Sequence, residues 1–595
     1  MSIGPAVARR LPALAAACLI SVAVPSTALV AKEKIKGGAK PAETVAASYD
    51  ISIPTIDATG SNVSEDVLRD ILSGNLAPHA EALANLDAAG ITVPEITITL
   101  TGIEDGEPYS ADIIISDLEL ADVADGVADA VTVGSVTMTA DNARFSFGEL
   151  SANNFNISGM LGVYGLVDSG ATGMQTIYTD FVSTGGTLDA EDVTCTIGGV
   201  AGAEFKARPL HTSFAEIVAL AEVANDDPDE VDPAMLGSIL RMYADIFTAF
   251  ETSEVTFDGM VCSGLDEEDR PVSFEIAGMV MGGMAPGIYP SLTVEGFNLE
   301  VEGDGFASLD SFTFKPMDLS GPIAVLEAAP EQVDDAWIEA NARALVPAME
   351  GLSFAGFDMD VADPEDSDAR VKASIGNFDL SLASYRNGIP TEIDMSAQNI
   401  RADLPEDSGD KSLEQLRALG ITSIDAGFRF AAAWNEASET IEVEEVSMSG
   451  VDLAAFVLAG QITNATADLF ALDTDTALAA GLGLAVKSLD LSVTDNGLSE
   501  IILSMVAAEQ GGDPASLRAV FAGLAQGTVI GFMSDVADAA KLGEAVNLFV
   551  GGKAQSLRIG IEAKEEPGIG LTDFMEAEDD PAALLGRVNV SAEAK

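Results

Sequence analysis

Two histidines, three cysteines, two tryptophans and only 29 basic residues in a chain of 595 leave several kinds of chemistry without raw material. His79 and His211 stand far apart and form no HExxH pair, so both read as ordinary surface or capping residues. The basic residues are too few to neutralise a phosphate backbone, which excludes nucleic acid as a partner. No Gly-x-Ser-x-Gly elbow occurs, which removes one common hydrolase class. Phosphate cradles are missing too. The nearest approach to a P-loop ends in Gly551-Gly552-Lys553, with Asn547 where the first Gly would stand and Ala554 in place of Ser or Thr. Ser408 and Lys411 match SxxK, but the surrounding loop DLPEDSGDKS is polar and acidic, and the match reads as chance. The longest uncharged run beyond the N-terminus, Ile276 to Val294, carries Gly278, Gly282, Gly283, Pro286, Gly287 and Pro290, which suit turns between strands and not a helix in lipid. The expectation is a non-enzyme without metal, cofactor or transmembrane span beyond the leader.

What the chain has is acid and apolar surface together. It carries 96 Asp and Glu and a formal net charge of −67, yet it is 48% hydrophobic with a mean hydropathy of +0.26. A disordered acidic chain is poor in apolar residues, so this one folds around a large apolar surface. Acidic clusters at 226–230, at Asp358/Asp360/Asp363 and from Asp403 to Asp410 do not follow the DxDxDG spacing of a calcium loop and read as hydrated carboxylates.

The N-terminus reads as an export signal. Arg9 and Arg10 precede an apolar stretch from Leu11 to Val24, and Ser26-Thr27-Ala28, or Ala31, offers a small-residue cleavage site. Residues 1–31 are therefore assigned as a signal peptide and 32–46 as a flexible leader. The apolar run is short for an anchor. Leu11-Pro12-Ala13 continues a twin-arginine motif poorly, and Cys18 lacks the branched residue that usually precedes a lipidated cysteine. The expected location is the periplasm or another exported compartment. There Cys195 and Cys262, both in strand-like stretches separated by helix-like segments that return the chain, are expected to form a disulfide; two buried thiols are the alternative.

Period-two alternation is the clearest local signal. It occurs at Ile96/Ile98/Leu100, Phe297/Leu299/Val301, Phe357/Met359/Val361, Leu489/Leu491/Val493 and Leu557/Ile559/Ile561, each with polar residues between. Such strands have one apolar and one wet face, as in antiparallel sheet. Helices are expected near 64–88, 173–184, 212–225, 232–250, 331–350, 412–419, 498–509, 515–525 and 534–549. Asp232-Pro233, Asp513-Pro514 and Asp580-Pro581 mark three starts, and Ser213 with Glu216 forms a capping box. A divergent repeat of strand, acidic turn, strand, Gly-centred turn and strand recurs at 96–143, 255–303 and 357–403, with Gly126, Gly287 and Gly388 at the second turn; a looser copy covers 426–464. The fold class is α+β: an elongated, repeat-like antiparallel sheet with helices packed on its apolar face. Two lobes, 47–320 and 321–595, are the expected division.

Met279, Met281 and Met284 in GMVMGGM are candidates to line an adaptable apolar groove, and so is Trp434, with core packing as the alternative for all four. Trp337 reads as a helix-face core anchor. The stretches RNGIPTEIDMSAQNIRADLP, LRALGITSIDAGFRFAAAWNEASETIEVEEVSM and SLDLSVTDNGLSEIILSMVAAEQGGDPASLRA together resemble an uncharacterised family of exported alphaproteobacterial proteins over roughly 350–595. That resemblance implies an envelope setting and brings no activity or catalytic residue. The functional expectation is a non-enzymatic cell-envelope protein that binds lipid or another amphiphile in a sheet groove. The alternative is a structural or protein–protein interaction module whose core is filled by its own helices.

Overall fold

The computed structural model describes residues 48–104, 107–140, 143–212, 216–217, 233–266, 268–363, 369–405, 411–510, 512–533, 538–579 and 581–595. The signal peptide and leader, the cluster at 226–230, Ser213, Asp232, Ser408 and Asp580 lie outside them. Alternation of apolar and polar residues governs what forms. Twenty-eight strands join in one sheet whose paired strands all run antiparallel, and a three-stranded sheet of Ile288–Tyr289, Met317–Asp318 and Ala348–Met349 accompanies it. From Pro271–Met281 onward the large sheet is a meander in which each strand pairs with the next one along the chain: Leu292–Val301, Gly305–Phe314, Gly351–Ala362, Arg370–Arg386, Ile389–Asp403, Ser423–Asn435, Thr440–Gly450, Ala454–Thr463, Ala485–Asp495 and Ser556–Ala563. The sheet is continuous across residue 320, where Gly305–Phe314 pairs with Gly351–Ala362.

The repeat copy at 357–403 is three consecutive strands of this meander, whereas those at 96–143 and 255–303 begin before it and span more than three strands; in each copy the acidic turn and the Gly-centred turn fall on opposite rims of the sheet. One rim is acidic, with Glu104 and Glu107, Asp189 to Asp192, Asp266, Glu268 and Asp269, Glu302 and Asp304, and Asp452. On the other rim Gly126, Gly287 and Gly388 have φ of 72°, 75° and 76°. At Gly388 a side chain is excluded twice over, because a Cβ there would also lie 2.1 Å from the Arg343 carbonyl oxygen.

Two expected helices are corrected. Residues 173–184 contain the strand Gln175–Ser183. Its β-branched and aromatic residues fit a pleated surface, Ile177 is fully buried, and strands pair with it on both sides. In 331–350 only Asp335–Asn341 is α-helical. Pro347 biases Val346 away from helix, and the chain goes on to the short strand Ala348–Met349. Pro514 opens its helix as expected, with the Asp513 carboxylate accepting the Ser516 amide at 3.1 Å.

Helices close the two ends of the sheet. We label these α1 (Glu65–Leu72) and α2 (Ala80–Ala84) at the N-terminal end, and α3 (Leu498–Gln510), α4 (Pro514–Phe532) and α5 (Ala539–Val550) at the C-terminal end. Leu68 of α1 packs in one cluster with Leu86, Ile91, Val93, Ile96 and Val123. Leu542 of α5 packs with Ala563, Ile569, Val588 and Val590. A third anchor holds the helix Pro233–Thr248 to the loop after the strand Val200–Ala207. There buried Asp245 meets Arg208 at 2.8 Å and His211 Nδ1 at 2.7 Å, and it also accepts the backbone amides of His211 and Thr212. Burial pushes the Asp245 carboxyl up, but these hydrogen bonds outweigh it and hold the group below the usual carboxylate range.

Candidate ligand track

In an antiparallel pair, directly opposed residues share a face. Followed from strand to strand, the register builds one file across the sheet: Phe257, Met279, Val294, Phe312, Phe354, Phe378, Ala397, Phe428, Met448, Phe456, Val493 and Leu557. A second file runs two residues along each strand: Met281, Leu292, Phe314, Leu352, Leu380, Met395, Phe430, Val446, Leu458, Leu491 and Ile559. The period of two puts both files on the same face. No polar residue interrupts either one. Phe354 and Phe378 stack at 5.2 Å between ring centroids.

The file between them points to the opposite face and is mostly polar: Thr293, Thr313, Ser353, Asp379, Ser396, Arg429, Ser447, Val457, Ser492 and Arg558. It carries ion pairs that fix the register. Arg429 bridges Asp394 and Glu445, both at 2.9 Å, Lys315 meets Asp379 at 2.7 Å, and Arg558 meets Asp490 at 3.0 Å. The Arg429 hydrogen bond lowers the Asp394 pKa. A one-residue slip of any strand would bring this polar file onto the apolar side.

The apolar files differ from a core in one respect. From Phe257 to Leu491 only Ala397 is buried; the other residues are half-buried or exposed. Met448 and Phe456, opposite each other, are 66% and 40% exposed. Phenylalanines at 312, 354, 378 and 428 would be buried in a closed core. Here they form an apolar track that no layer of the described chain seals.

Of the sequence candidates, Met279 and Met281 sit on the track at its Pro271–Met281 strand. Met284 lies past the end of that strand, where its backbone pairs with Thr252. Trp434 shares the track face, opposite Ile441, but its ring is taken up by its own chain. The indole N–H donates to the Ala465 carbonyl at 2.6 Å, Phe470 lies 4.7 Å away and the Arg386 guanidinium stands 5.4 Å over the ring. Cys195 and Cys262 are bonded; they oppose each other on adjacent strands with Cα atoms 4.0 Å apart. His79 meets Asp70 at 2.8 Å and His211 meets Asp245. Gly551-Gly552-Lys553 follows the C-terminus of α5, where the Gly551 amide donates to the Asn547 carbonyl, so no helix N-terminus faces a phosphate there. Asp360 is paired with Arg370 and Lys372. Among the described residues no group of three or more His, Cys, Asp or Glu is placed to hold a metal ion.

Sequence reading missed the C-terminal end of the track. Beneath α3 and α4 lies a cavity of about 320 Å³, lined by Ala454, Val493, Leu498, Ile502, Phe521 and Phe549 among others. Val493 belongs to the track, so the cavity and the track share a wall. Its polar corner is satisfied internally: Asp495 accepts Ser499, and Arg518 pairs with Glu500 at 2.7 Å. Burial raises the Asp495 carboxyl, and hydrogen bonds from Ser499 and the Gly497 amide more than offset it. One sequence signal pointed here: no Asp or Glu occurs between Asp513 and Asp535 in a chain with 96 of them.

Comparison with known proteins adds one match and two negatives. No curated protein and no solved structure matches the chain. A family model described as an uncharacterized protein matches residues 447–595, a narrower span than 350–595, and places the last strands of the track and the helices α3 to α5 within that family's matched region.

Proposed function

We propose that the protein is a non-enzymatic, exported envelope protein that holds the acyl chain of a lipid or similar amphiphile along the two apolar files. The observation that carries this reading is the burial pattern: two apolar files, uninterrupted in register, of whose residues between Met279 and Leu458 Ala397 alone is buried. Exposed contiguous apolar surface on this scale marks a binding site. Methionine and phenylalanine side chains adapt to chains of varied shape without directional demands. The acidic rim disfavours an anionic head group and leaves zwitterionic or neutral amphiphiles as the better fit. The export-type N-terminus supports an envelope setting, where such ligands occur.

Native mass spectrometry of the purified protein, with lipid extraction of the same sample, tests the reading. A co-purifying amphiphile, reduced at least tenfold in Phe354→Asp and Phe378→Asp variants that remain folded, is the expected result. A ligand-free protein that also takes up no added phosphatidylcholine would overturn it. In that case a partner protein covering the track becomes the better account.

A further inference from the structure

We propose that α4 docks on a zwitterionic lipid bilayer, and that the cavity beneath it is the passage between that bilayer and the track. The proposal rests on the lipid-binding reading above and extends it to a place of loading. Helix α4 has 19 residues and is long and apolar enough to cross a membrane, yet it is almost wholly unburied. Its one charged residue, Arg518, is occupied by Glu500. Val520, Phe521, Leu524 and Phe532 are all exposed, Leu524 at 59% and Phe532 at 73%. The opposite side of the helix is accounted for, because Val529 and Met533 pack against the cluster that contains Leu542 of α5. Apart from Phe521, which also lines the cavity, the exposed side lies open among the described residues, and it presents hydrocarbon without ionised groups.

Charge selects the occupant. A second copy seated on α4 would bring together two chains of formal charge −67, whereas a neutral bilayer surface imposes no such repulsion. A cationic protein partner would find its counter-charges elsewhere, on the acidic rim and polar face, and not on a stripe free of Asp and Glu. An apolar helix face laid into the head-group boundary gains from each buried hydrocarbon group. Continuity completes the argument. Phe521 belongs to α4 and also lines the cavity, the cavity is lined in turn by Val493, and Val493 stands opposite exposed Phe456 on the track. An acyl chain leaving the bilayer at α4 meets apolar surface at every step from Phe521 to Phe456.

Flotation of the full-length mature protein with phosphatidylcholine vesicles tests this, alongside the variant Leu524→Asp/Phe532→Asp, whose positions are exposed and whose thermal unfolding should match the wild type. The wild type should float and the variant should lose at least tenfold in bound fraction. Phe378→Asp should float like the wild type while losing its co-purified amphiphile, which separates failure of docking from failure of the track. A wild type that stays at the bottom of the gradient, or a double variant that floats equally well, overturns the proposal. So does sedimentation of the wild type as a dimer that the double variant dissolves, since a second copy would then cover α4.

Discussion

The N-terminal end of the sheet and its middle are built from the same strand pattern and end up in different physical states. At the N-terminal end Val93 is 0% exposed, because α1 and the segment around Leu86 lie on the apolar face and close it. In the middle Phe354 and Phe378 occupy the equivalent face of their strands and stay half-buried. Strand alternation decides which side of a sheet is apolar. Whether that side becomes core depends on a second layer, and the chain supplies that layer mainly at the ends. The closed ends can be read as giving the protein its stability and the open middle as giving it its ligand.

The largest expected effect comes from attacking the closed end. Leu86→Ala should destabilise the fold by about 2–5 kcal/mol in urea unfolding, the range for deleting a fully buried leucine. Equal costs at Leu86 and Phe378 would dissolve the distinction between the two regions. Next comes the cross-link between adjacent strands: replacing Cys195 and Cys262 together by Ser should cost about 2–4 kcal/mol, read by the same method. Phe378→Ala should cost less than the roughly 3–5 kcal/mol of a fully buried phenylalanine, because part of its surface is already wet.

A smaller effect has a defined pH signature. The folded-state pKa of Asp245 lies below its unfolded value of about 3.9, so its contribution is fully present above that value and disappears as pH falls through the lowered folded value. Asp245→Asn should therefore lower the melting temperature at pH 7, and the gap to the wild type should narrow as pH falls below the ordinary carboxylate range and through the lowered folded value. A gap that persists in acid would show that packing, and not charge, anchors the helix Pro233–Thr248. The smallest effect is general: raising salt should stabilise the protein by a few degrees, because screening relieves the self-repulsion of a net charge of −67.

Much of this fold was legible in the sequence. Period-two alternation located the apolar and wet faces, the Gly-centred turns fell where left-handed backbone was needed, and Cys195 with Cys262 paired. What the sequence does not carry is register. Phe312, Phe354, Phe378 and Phe428 are scattered over more than a hundred positions, and only pairing of successive strands puts them in one file. Coverage is also non-local. Met279 reads equally well as core or as groove until the packing around it is known. Residues 173–184 misled because neighbouring strands overrode a weak helical pattern. Trp434 could be read either as packing or as lining a groove, and it is held by Ala465 and Phe470, contacts that a segment some thirty residues downstream provides.

The central claim is that the apolar face in the middle of the sheet is in contact with a ligand chain while the opposite face is in contact with water. Quenching by a brominated-acyl phosphatidylcholine tests it most directly, in protein with Trp337→Phe and Trp434→Phe as background. Phe378→Trp places the fluorophore on the track and Ser396→Trp places it on the polar face. Strong quenching at 378 with none at 396 is the predicted result; no quenching at 378, or equal quenching at both positions, would contradict the account.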